Sequence, residues 1–151
     1  MRTSMLMMGL APMLGMFLLG CSGVRPQNLG VKDGKLAPCP STPNCVSSQG
    51  SGQEHGIEPL HFTGTGADAW AKLKKIVLGM KRARIVTETN MYLHAEYTSL
   101  IWRFVDDVEF VVFDKEKVIH VRSASRLGKS DLGVNRKRVE EIRSRWNATG
   151  E

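Results

Sequence analysis

The N-terminal segment sets the strongest limit on the fold of this chain, because its pattern assigns residues 1–20 to a leader rather than to the folded domain. Arg2 is followed by an almost unbroken apolar run that ends at Leu19, and Gly20 then precedes Cys21. A basic residue, a short apolar run and a small residue before the cleavage point are typical of a secretory signal. The run is shorter than the ~20 residues of a membrane-spanning helix. We predict that residues 1–20 are a signal peptide; the alternative is an uncleaved anchor followed by a chance cysteine.

The four residues Leu18, Leu19, Gly20 and Cys21 resemble the lipobox of bacterial lipoproteins. The resemblance implies that Cys21 carries lipid, palmitate included, and starts a mature chain of 131 residues (151 minus 20). It also implies a location in the cell envelope. Ser22 is not the aspartate associated with inner-membrane retention, so the resemblance favours the periplasmic face of the outer membrane in a Gram-negative source.

Length and charge narrow the class of protein. A mature chain of this length fits one domain. The net charge of +6 can favour anionic membranes or nucleic acid. Because the basic residues alternate with Asp and Glu along the predicted helices, a solvated surface is the better interpretation. Export also argues against nucleic acid, so we predict none as a partner.

Two cysteines remain once Cys21 is assigned to lipid. Cys39 and Cys45 enclose a short loop, and in an oxidising compartment a disulfide is the default. A redox-active pair usually has Cys-x-x-Cys spacing, and a zinc site needs further ligands nearby. We predict a structural disulfide, with a redox pair and free thiols or a metal site as the alternatives.

The pattern along the chain predicts one folded domain. Residues 21–36 are rich in polar residues, Gly and Pro, and we expect a flexible tether. Residues 37–147 are predicted to be a single α+β domain, followed by a tail at 148–151. Its order is strand, helix, four antiparallel strands, helix, with both helices packed on one face of the sheet. Residues 57–62 are the predicted strand before the first helix, and the extended segments after it are 85–88, 92–97, 101–105, 108–113 and 118–123, one more than the four strands of that order.

Both helices are predicted from apolar spacing. Trp70, Leu73, Val77 and Met80 recur at helical intervals after residue 66. A second helix begins near Asn135, which is a favoured N-cap residue.

Alternation along the strands places polar side chains on one face of the sheet. We expect that face to carry His94, Glu96, Arg103, His120 and Arg122. An ordinary polar face is the simpler interpretation. The alternative is a surface that binds an anion or a partner through arginine and histidine.

The segment 122–136 combines guanidinium groups, hydroxyls and glycines just before the last helix. These groups can recognise phosphate or carboxylate. The alternative is a structured connection, in which Ser130 and Asp131 cap turns and Arg122 or Arg126 pairs with an acidic residue at 106, 107 or 109. The residues of the hypothetical ligand site are Arg122, Ser123, Ser125, Arg126, Asp131, Asn135 and Arg136.

Signals for catalysis are weak. The sequence has no Gly-x-Ser-x-Gly or His-Glu-x-x-His motif. Asp107 and Glu109 would share a strand face and could act in acid–base chemistry, but balancing nearby arginines is the simpler role. We predict no catalytic residue, metal or cofactor, and leave enzymatic activity as an uncertain third option.

Four segments of the chain resemble a known family. They are residues 39–48 (CPSTPNCVSS), 106–110 (DDVEF), 118–126 (VIHVRSASR) and 130–136 (SDLGVNR). Together they are similar to the motifs of domain of unknown function 1499, and the resemblance covers residues 36–146. It implies a domain boundary and a set of motif positions, without roles for them.

The sequence therefore predicts a lipid-anchored envelope protein. The first hypothesis is a non-catalytic binding module for an anionic small molecule, lipid headgroup or glycan. The second is an interaction or scaffold lipoprotein that docks an envelope protein through its sheet face or edge. In either case the membrane is a partner through the lipid on Cys21.

Overall fold

The computed structural model describes residues 22–148, in which a six-stranded antiparallel sheet is combined with three helices. The strands are β1 (Cys45–Ser47), β2 (Leu60–His61), β3 (Ala83–Glu88), β4 (Tyr92–Thr98), β5 (Val105–Phe113) and β6 (Val118–Ser125). The helices are α1 (Gly52–His55), α2 (Gly66–Leu78) and α3 (Val134–Ala148). The predicted signal peptide, the lipidation site Cys21 and residues 149–151 lie outside the described residues.

The sheet is a meander with a divided edge. Strands β3 to β6 pair with their neighbours in sequence, and β1 and β2 both pair with β6 on its other side. The four consecutive antiparallel strands and the strand before α2 confirm the predicted order, to which the structure adds β1 and α1. The predicted strand at 57–62 shortens to two residues, directly after Pro59, which cannot donate to a ladder.

Helices α2 and α3 cover one face of the sheet, as predicted. The Thr65 hydroxyl caps α2 by accepting a hydrogen bond from the Asp68 amide. The helical stripe Trp70, Leu73 and Val77 packs with Val139 and Ile142 of α3. The sheet side of this core alternates along the strands, as period-2 geometry requires. Its buried residues include Leu93, Ala95, Val108, Phe110, Val112, Ile119 and Val121.

Residues 101–104 do not form the predicted strand. The segment is an exposed loop between β4 and β5, closed by hydrogen bonds from the Ser99 amide to the Phe104 carbonyl and from the Phe104 amide to Ser99 Oγ. Arg103 has a φ of 59°, a left-handed conformation that interrupts an extended chain. Arg103 is therefore absent from the polar sheet face on which the sequence placed it.

The start of α3 also differs from the prediction. Asn135 lies inside the helix and is fully buried. The capping groups come from Asp131, whose carboxylate accepts hydrogen bonds from the amides of Gly133 and Asn135. An aspartate at this position also suits the positive end of the helix dipole.

Residues 22–36, predicted to be a flexible tether, instead contact the face of the sheet opposite the helices. Arg25 forms an ion pair with Glu96, the Gly30 amide donates to Glu109, and Leu36 is buried. Composition alone did not anticipate these contacts. Within residues 22–148, no helix has the length and apolar character needed to cross a bilayer.

Candidate functional site

The face of the sheet opposite the helices is built from buried charged side chains. Alternation along β4, β5 and β6 places them there, as the sequence predicted for His94, Glu96 and Arg122. A charge is rarely buried unless it is paired, so their partners determine what this face can do. The residues concerned are His94, Glu96, Asp107, Glu109 and Arg122, joined by Arg126 immediately after β6.

Arg126 is the centre of the first cluster. Its Nε and Nη2 atoms donate to the two carboxylate oxygens of Asp107 at 2.8 and 2.7 Å, and Nη2 also donates to Glu96. Arg25 and Arg84 donate to Glu96 at 2.6 and 2.7 Å. This two-point contact between a guanidinium and a carboxylate is a strong form of ion pair.

These contacts keep both carboxylates ionised. Burial alone would raise the pKa of Glu96, but hydrogen bonds from Arg84, Arg126 and Arg25 outweigh it and lower the pKa to about 2. Burial likewise opposes ionisation of Asp107, yet Arg126 and His94 lower its pKa. The hydrogen bonds from Arg126 to Asp107, together with the one to Glu96, in turn raise the pKa of the Arg126 guanidinium. His94 Nε2 is 2.7 Å from Asp107, and we assign it as the donor because that carboxylate is ionised.

Glu109 is the centre of the second cluster and is fully buried on β5. Its Oε1 atom accepts hydrogen bonds from the Tyr92 hydroxyl at 2.9 Å and the Gly30 amide at 2.7 Å. Its Oε2 atom accepts one from Arg122 Nη1 at 3.1 Å. Burial and the adjacent Glu109 charge raise the pKa of Tyr92, so the phenol keeps its proton.

Arg122 has a donor that the described residues do not satisfy. Its side chain is 6% exposed, and the buried Nε atom has no hydrogen-bond partner among them. Leaving a buried N–H unpaired costs about 1–3 kcal/mol. Such a group is uncommon in a folded protein and requires an explanation.

Three potential metal ligands meet in the first cluster. Each of His94, Glu96 and Asp107 offers one ligand atom, and these three atoms lie within 4.8 Å of one another. Arg126 Nη2 donates to both carboxylates, so a guanidinium already supplies the positive charge that these oxygens require. The donor set therefore fits an arginine-centred ion cluster better than a metal centre.

An open groove of about 1130 Å³ lies between residues 27–39 and residues 47–55. Ser47, in its wall, is the cross-strand partner of Arg122, and directly paired residues project from the same face. Gly30, in the opposite wall, bonds to the Glu109 carboxylate that pairs with Arg122. The groove therefore lies near the Arg122 side chain through Ser47 and Gly30, although Arg122 itself does not line it. Its polar side chains include Gln27, Asn28, Lys32, Lys35, Gln49 and His55.

A disulfide joins Cys39, in the groove wall, to Cys45 at the start of β1. The structure thus favours the predicted bridge over the redox, thiol and metal alternatives. Because β1 pairs with β6, the bridge connects the end of the N-terminal segment to the sheet.

The comparison with protein families agrees with the motif pattern. A family model described as "Protein of unknown function (DUF1499)" matches residues 35–145. The chain belongs to this family. A comparison with curated proteins finds no match.

The DUF1499 match includes β1 to β6 and most of α3, but it begins after most of the N-terminal segment. Most of one wall of the groove, residues 27–34, therefore lies outside the matched region, and residues 35–39 of that wall lie inside it. The other wall, residues 47–55, lies inside it. Both walls need to be considered when the DUF1499 domain of this chain is tested for binding.

The seven residues of the predicted ligand site do not form one surface. Arg122 and Arg126 lie on the charged face and pair with Glu109, Asp107 and Glu96, which matches the alternative of a structured connection. Arg136 lies elsewhere and donates to the carbonyls of Gln53, Glu54 and Gly56. The remaining four, Ser123, Ser125, Asp131 and Asn135, lie together on the helix side.

These four surround the Asn135 side chain. Its Nδ2 atom donates to Ser125 Oγ, an Asp131 oxygen and the Asn44 carbonyl, while its Oδ1 atom accepts from Ser123 and Arg138. Because these groups satisfy one another, this part of the DUF1499 motif links β6, α3 and the residue before β1.

Sequence reasoning missed several members of the charged face. Tyr92 alternates in step with His94 and Glu96, so the strand pattern could have identified it. Arg25 and Gly30 precede the DUF1499 match in a segment with no periodic pattern, and no sequence signal indicated their contacts. His120 lies on the predicted face, where burial lowers its pKa and Nδ1 is 3.0 Å from Ser48 Oγ.

Proposed function

We propose that this chain is a lipid-anchored protein of the cell envelope that binds a small anionic molecule without catalysis. The proposed site is the groove between residues 27–39 and 47–55, with Arg122 near it. The lipidated residue is Cys21, and the outer membrane facing the periplasm is the proposed location.

The unsatisfied Nε of Arg122 carries the proposal of binding. A ligand oxygen at the groove would give this buried N–H the acceptor that the described residues do not supply. A guanidinium has five N–H donors in a fixed fork, which suits it to carboxylate and phosphate oxygens. Binding would thus relieve a cost that the free protein carries.

The groove wall supplies further positive charge. Lys32 and Lys35 form a two-residue bridge, in which each amide donates to the other residue's carbonyl at 2.9 Å. Directly paired residues project their side chains to the same side, so the two ammonium groups are presented together. Asp33 is the acidic residue of this wall and offsets part of the charge of the two lysines. The remaining positive charge is small and favours an anion of modest charge.

The ion pairs support binding rather than acid–base catalysis. A general acid or base must exchange a proton near the working pH. The pKa of Glu96 is lowered to about 2, and that of Asp107 is also lowered, so both carboxylates hold their charge at neutral pH. Arg126 is fixed between them. This network is suited to holding the face of the groove rigid.

The experiment is native mass spectrometry of the full chain, extracted from the envelope in mild detergent. We expect an additional mass that is lost on denaturation. Arg122→Lys should lose it, since lysine keeps a positive charge near Glu109 but has no Nε–H. Lys35→Gln, at the groove wall and away from the core, should weaken retention while leaving the fold intact.

Arg145→Lys is the matched control, because the same substitution is made at an exposed arginine on α3. It should keep the additional mass. If Arg122→Lys and Lys35→Gln remain folded and retain the mass as Arg145→Lys does, the groove is not the site. If the wild-type chain carries no additional mass and shows no thermal shift with phosphates or carboxylates, the binding proposal fails.

A further inference from the structure

The end of the molecule at which the described chain begins carries a group of exposed apolar side chains. Residues 100–104 provide most of them, and Ile101 and Trp102 are 76% and 68% exposed. A soluble surface rarely collects apolar side chains in one patch unless the patch binds something. We name this group the apolar tip: Val24, Leu100, Ile101, Trp102, Phe104 and Leu127.

The loop of the apolar tip is held in place. The Ser99 amide donates to the Phe104 carbonyl at 2.8 Å, and the Phe104 amide donates to Ser99 Oγ at 2.9 Å. Two bonds across its base fix the loop while its apolar side chains face outward. The Arg126 amide donates to the Val105 carbonyl, which places Leu127 beside the same base.

The N-terminal segment starts at this end as well. Gly23, with a φ of +65°, lies so close that a Cβ atom there would be 3.0 Å from Arg126 Cβ and from Leu127 Cγ. Two residues later, Arg25 is held by Glu96 at 2.6 Å. Two peptide steps separate Gly23 from Cys21, a span of at most about 8 Å. A lipid on Cys21 would therefore hold the apolar tip, rather than another part of the domain, near the bilayer.

Basic residues lie within and beside the apolar tip. Arg103 lies within the loop, and Lys81 and Arg82 are exposed beside it. Arg82 is placed there by two bonds, from its Nε to the Thr98 carbonyl and from the Thr98 amide to its own carbonyl. Tryptophan and arginine or lysine together are typical of surfaces that lie at the headgroup level of an anionic membrane.

We infer that the apolar tip inserts into the interface of an anionic lipid bilayer and so fixes the orientation of the domain on the membrane. This inference rests on the proposed lipid anchor for the approach to the membrane, and it adds a second, non-covalent contact. One acyl anchor alone permits any tilt, whereas an inserted loop near the anchor sets one orientation. In that orientation the β3–β4 and β5–β6 turns, at the other ends of the strands, point away from the membrane.

The test is depth-dependent quenching of tryptophan fluorescence in the full chain, reconstituted into vesicles of phosphatidylcholine with 30% phosphatidylglycerol in which brominated lipids report contact. Trp70 and Trp146 are buried, so contact-dependent quenching should come from Trp102. Trp102→Tyr should abolish most of it. Arg82→Gln and Arg103→Gln should each lower the affinity of the apolar tip for the membrane by on the order of fivefold, and only when the lipid is anionic.

A relocated tryptophan is the matched control. Met91 is exposed in the turn between β3 and β4, at the opposite end of β4 from residues 99–104. The double variant Met91→Trp/Trp102→Tyr keeps the number of tryptophans. We expect it to show no contact-dependent quenching, because the tryptophan at position 91 would face away from the bilayer. Equal quenching of Trp102 and of the relocated tryptophan would overturn a fixed orientation.

The failure of the anchor and the failure of the tip can be distinguished. Labelling of the wild-type chain with a palmitate analogue, lost in Cys21→Ala, tests the anchor separately. A labelled chain whose Trp102 is not quenched overturns the membrane contact and leaves the anchor intact. If the chain is not labelled, the proposed lipid anchor is wrong. If Trp102 is then also not quenched in the same vesicles, the proposed membrane contact of the apolar tip is wrong as well. Photocrosslinking from position 102 to a protein instead of lipid would assign the apolar tip to a protein partner.

Discussion

At the scale of single residues, two kinds of polar group are buried in this protein. Asn135 satisfies both its donors and its acceptor within the described residues, whereas Arg122 leaves one N–H unpaired. The first kind stabilises the fold and the second suggests a ligand. This distinction depends on the partners of each side chain, which neighbouring positions in the sequence do not reveal.

Asn135→Ala should lower the free energy of unfolding by about 2–4 kcal/mol, because it leaves several buried partners unsatisfied. Urea denaturation measures this value. Asn147→Ala, in the same helix but exposed, is the control and should change stability by less than about 0.5 kcal/mol. Similar losses in the two variants would show that the Asn135 network contributes little.

The sequence predicted the faces of residues and some of their partners, but not the complete set of contacts. Alternation correctly placed His94, Glu96 and Arg122 on one side of the sheet. The pairing of Arg126 with Asp107 was one of the alternatives that the sequence offered, but its second contact, with Glu96 at a distance of 30 positions along the chain, was not. The sequence also could not show that residues 22–36 would supply Arg25 and Gly30.

At the scale of secondary-structure elements, the error at residues 101–104 is instructive. The run Ile101, Trp102, Arg103, Phe104 alternates apolar and polar residues only in part, but its composition is typical of a strand. The chain turns there because Arg103 adopts a left-handed conformation and Ser99 closes the loop. Apolar character alone does not separate a buried strand from an exposed loop that contacts another surface.

The element that depends most on a covalent bond is β1. It has three residues, and the Cys39–Cys45 disulfide closes a short ring at its first residue. Loop-closure arithmetic for a ring this short gives about 2 kcal/mol. We expect reduction of the native protein to lower the free energy of unfolding by this amount, measured by urea denaturation with and without reductant.

The control for this prediction is the Cys39→Ser/Cys45→Ala variant, in which reductant should have no further effect. Intact mass should rise by about two hydrogens when the native chain is reduced. Two thiols that react with an alkylating reagent in the exported, unreduced protein would contradict the prediction.

At the scale of the whole molecule, both faces of the sheet are covered, one by α2 and α3 and the other by residues 22–36. The two coverings differ in chemistry. Apolar packing dominates on the helix side, where Arg138 of α3 also pairs with Asp106, whereas an ion pair of Arg25 and a hydrogen bond to Glu109 hold the N-terminal segment. The stability of the second covering should therefore depend more strongly on pH than that of the first.

Acid should loosen the N-terminal covering first. The pKa of Glu96 in the fold is about 2, below its ordinary value of 4.5. The stabilisation from Glu96 is therefore fully present above about pH 4.5 and is lost as the pH falls towards 2. It is on the order of 3 kcal/mol, and Asp107, whose pKa is also lowered, adds to the same trend.

Denaturant unfolding at pH 6, 4.5, 3 and 2 measures this dependence. Glu96→Gln cannot titrate, so it should be less stable than the wild type at pH 6 and should lose less stability between pH 4.5 and 2. Hydrogen exchange at residues 25–30 should increase before that of β5. Parallel curves for wild type and variant would show that Glu96 does not provide the acid sensitivity.

The divided edge of the sheet has a consequence for crowding. Proteins held on a membrane surface meet one another at high local concentration, and long exposed strand edges then template intermolecular pairing. Here β6 is flanked by two strands of three and two residues, and β3 at the opposite edge contains a register shift between Ile85 and Thr87. Neither edge offers a long regular row of unpaired amides. A protein with these edges can be packed densely on a bilayer without joining sheet to sheet.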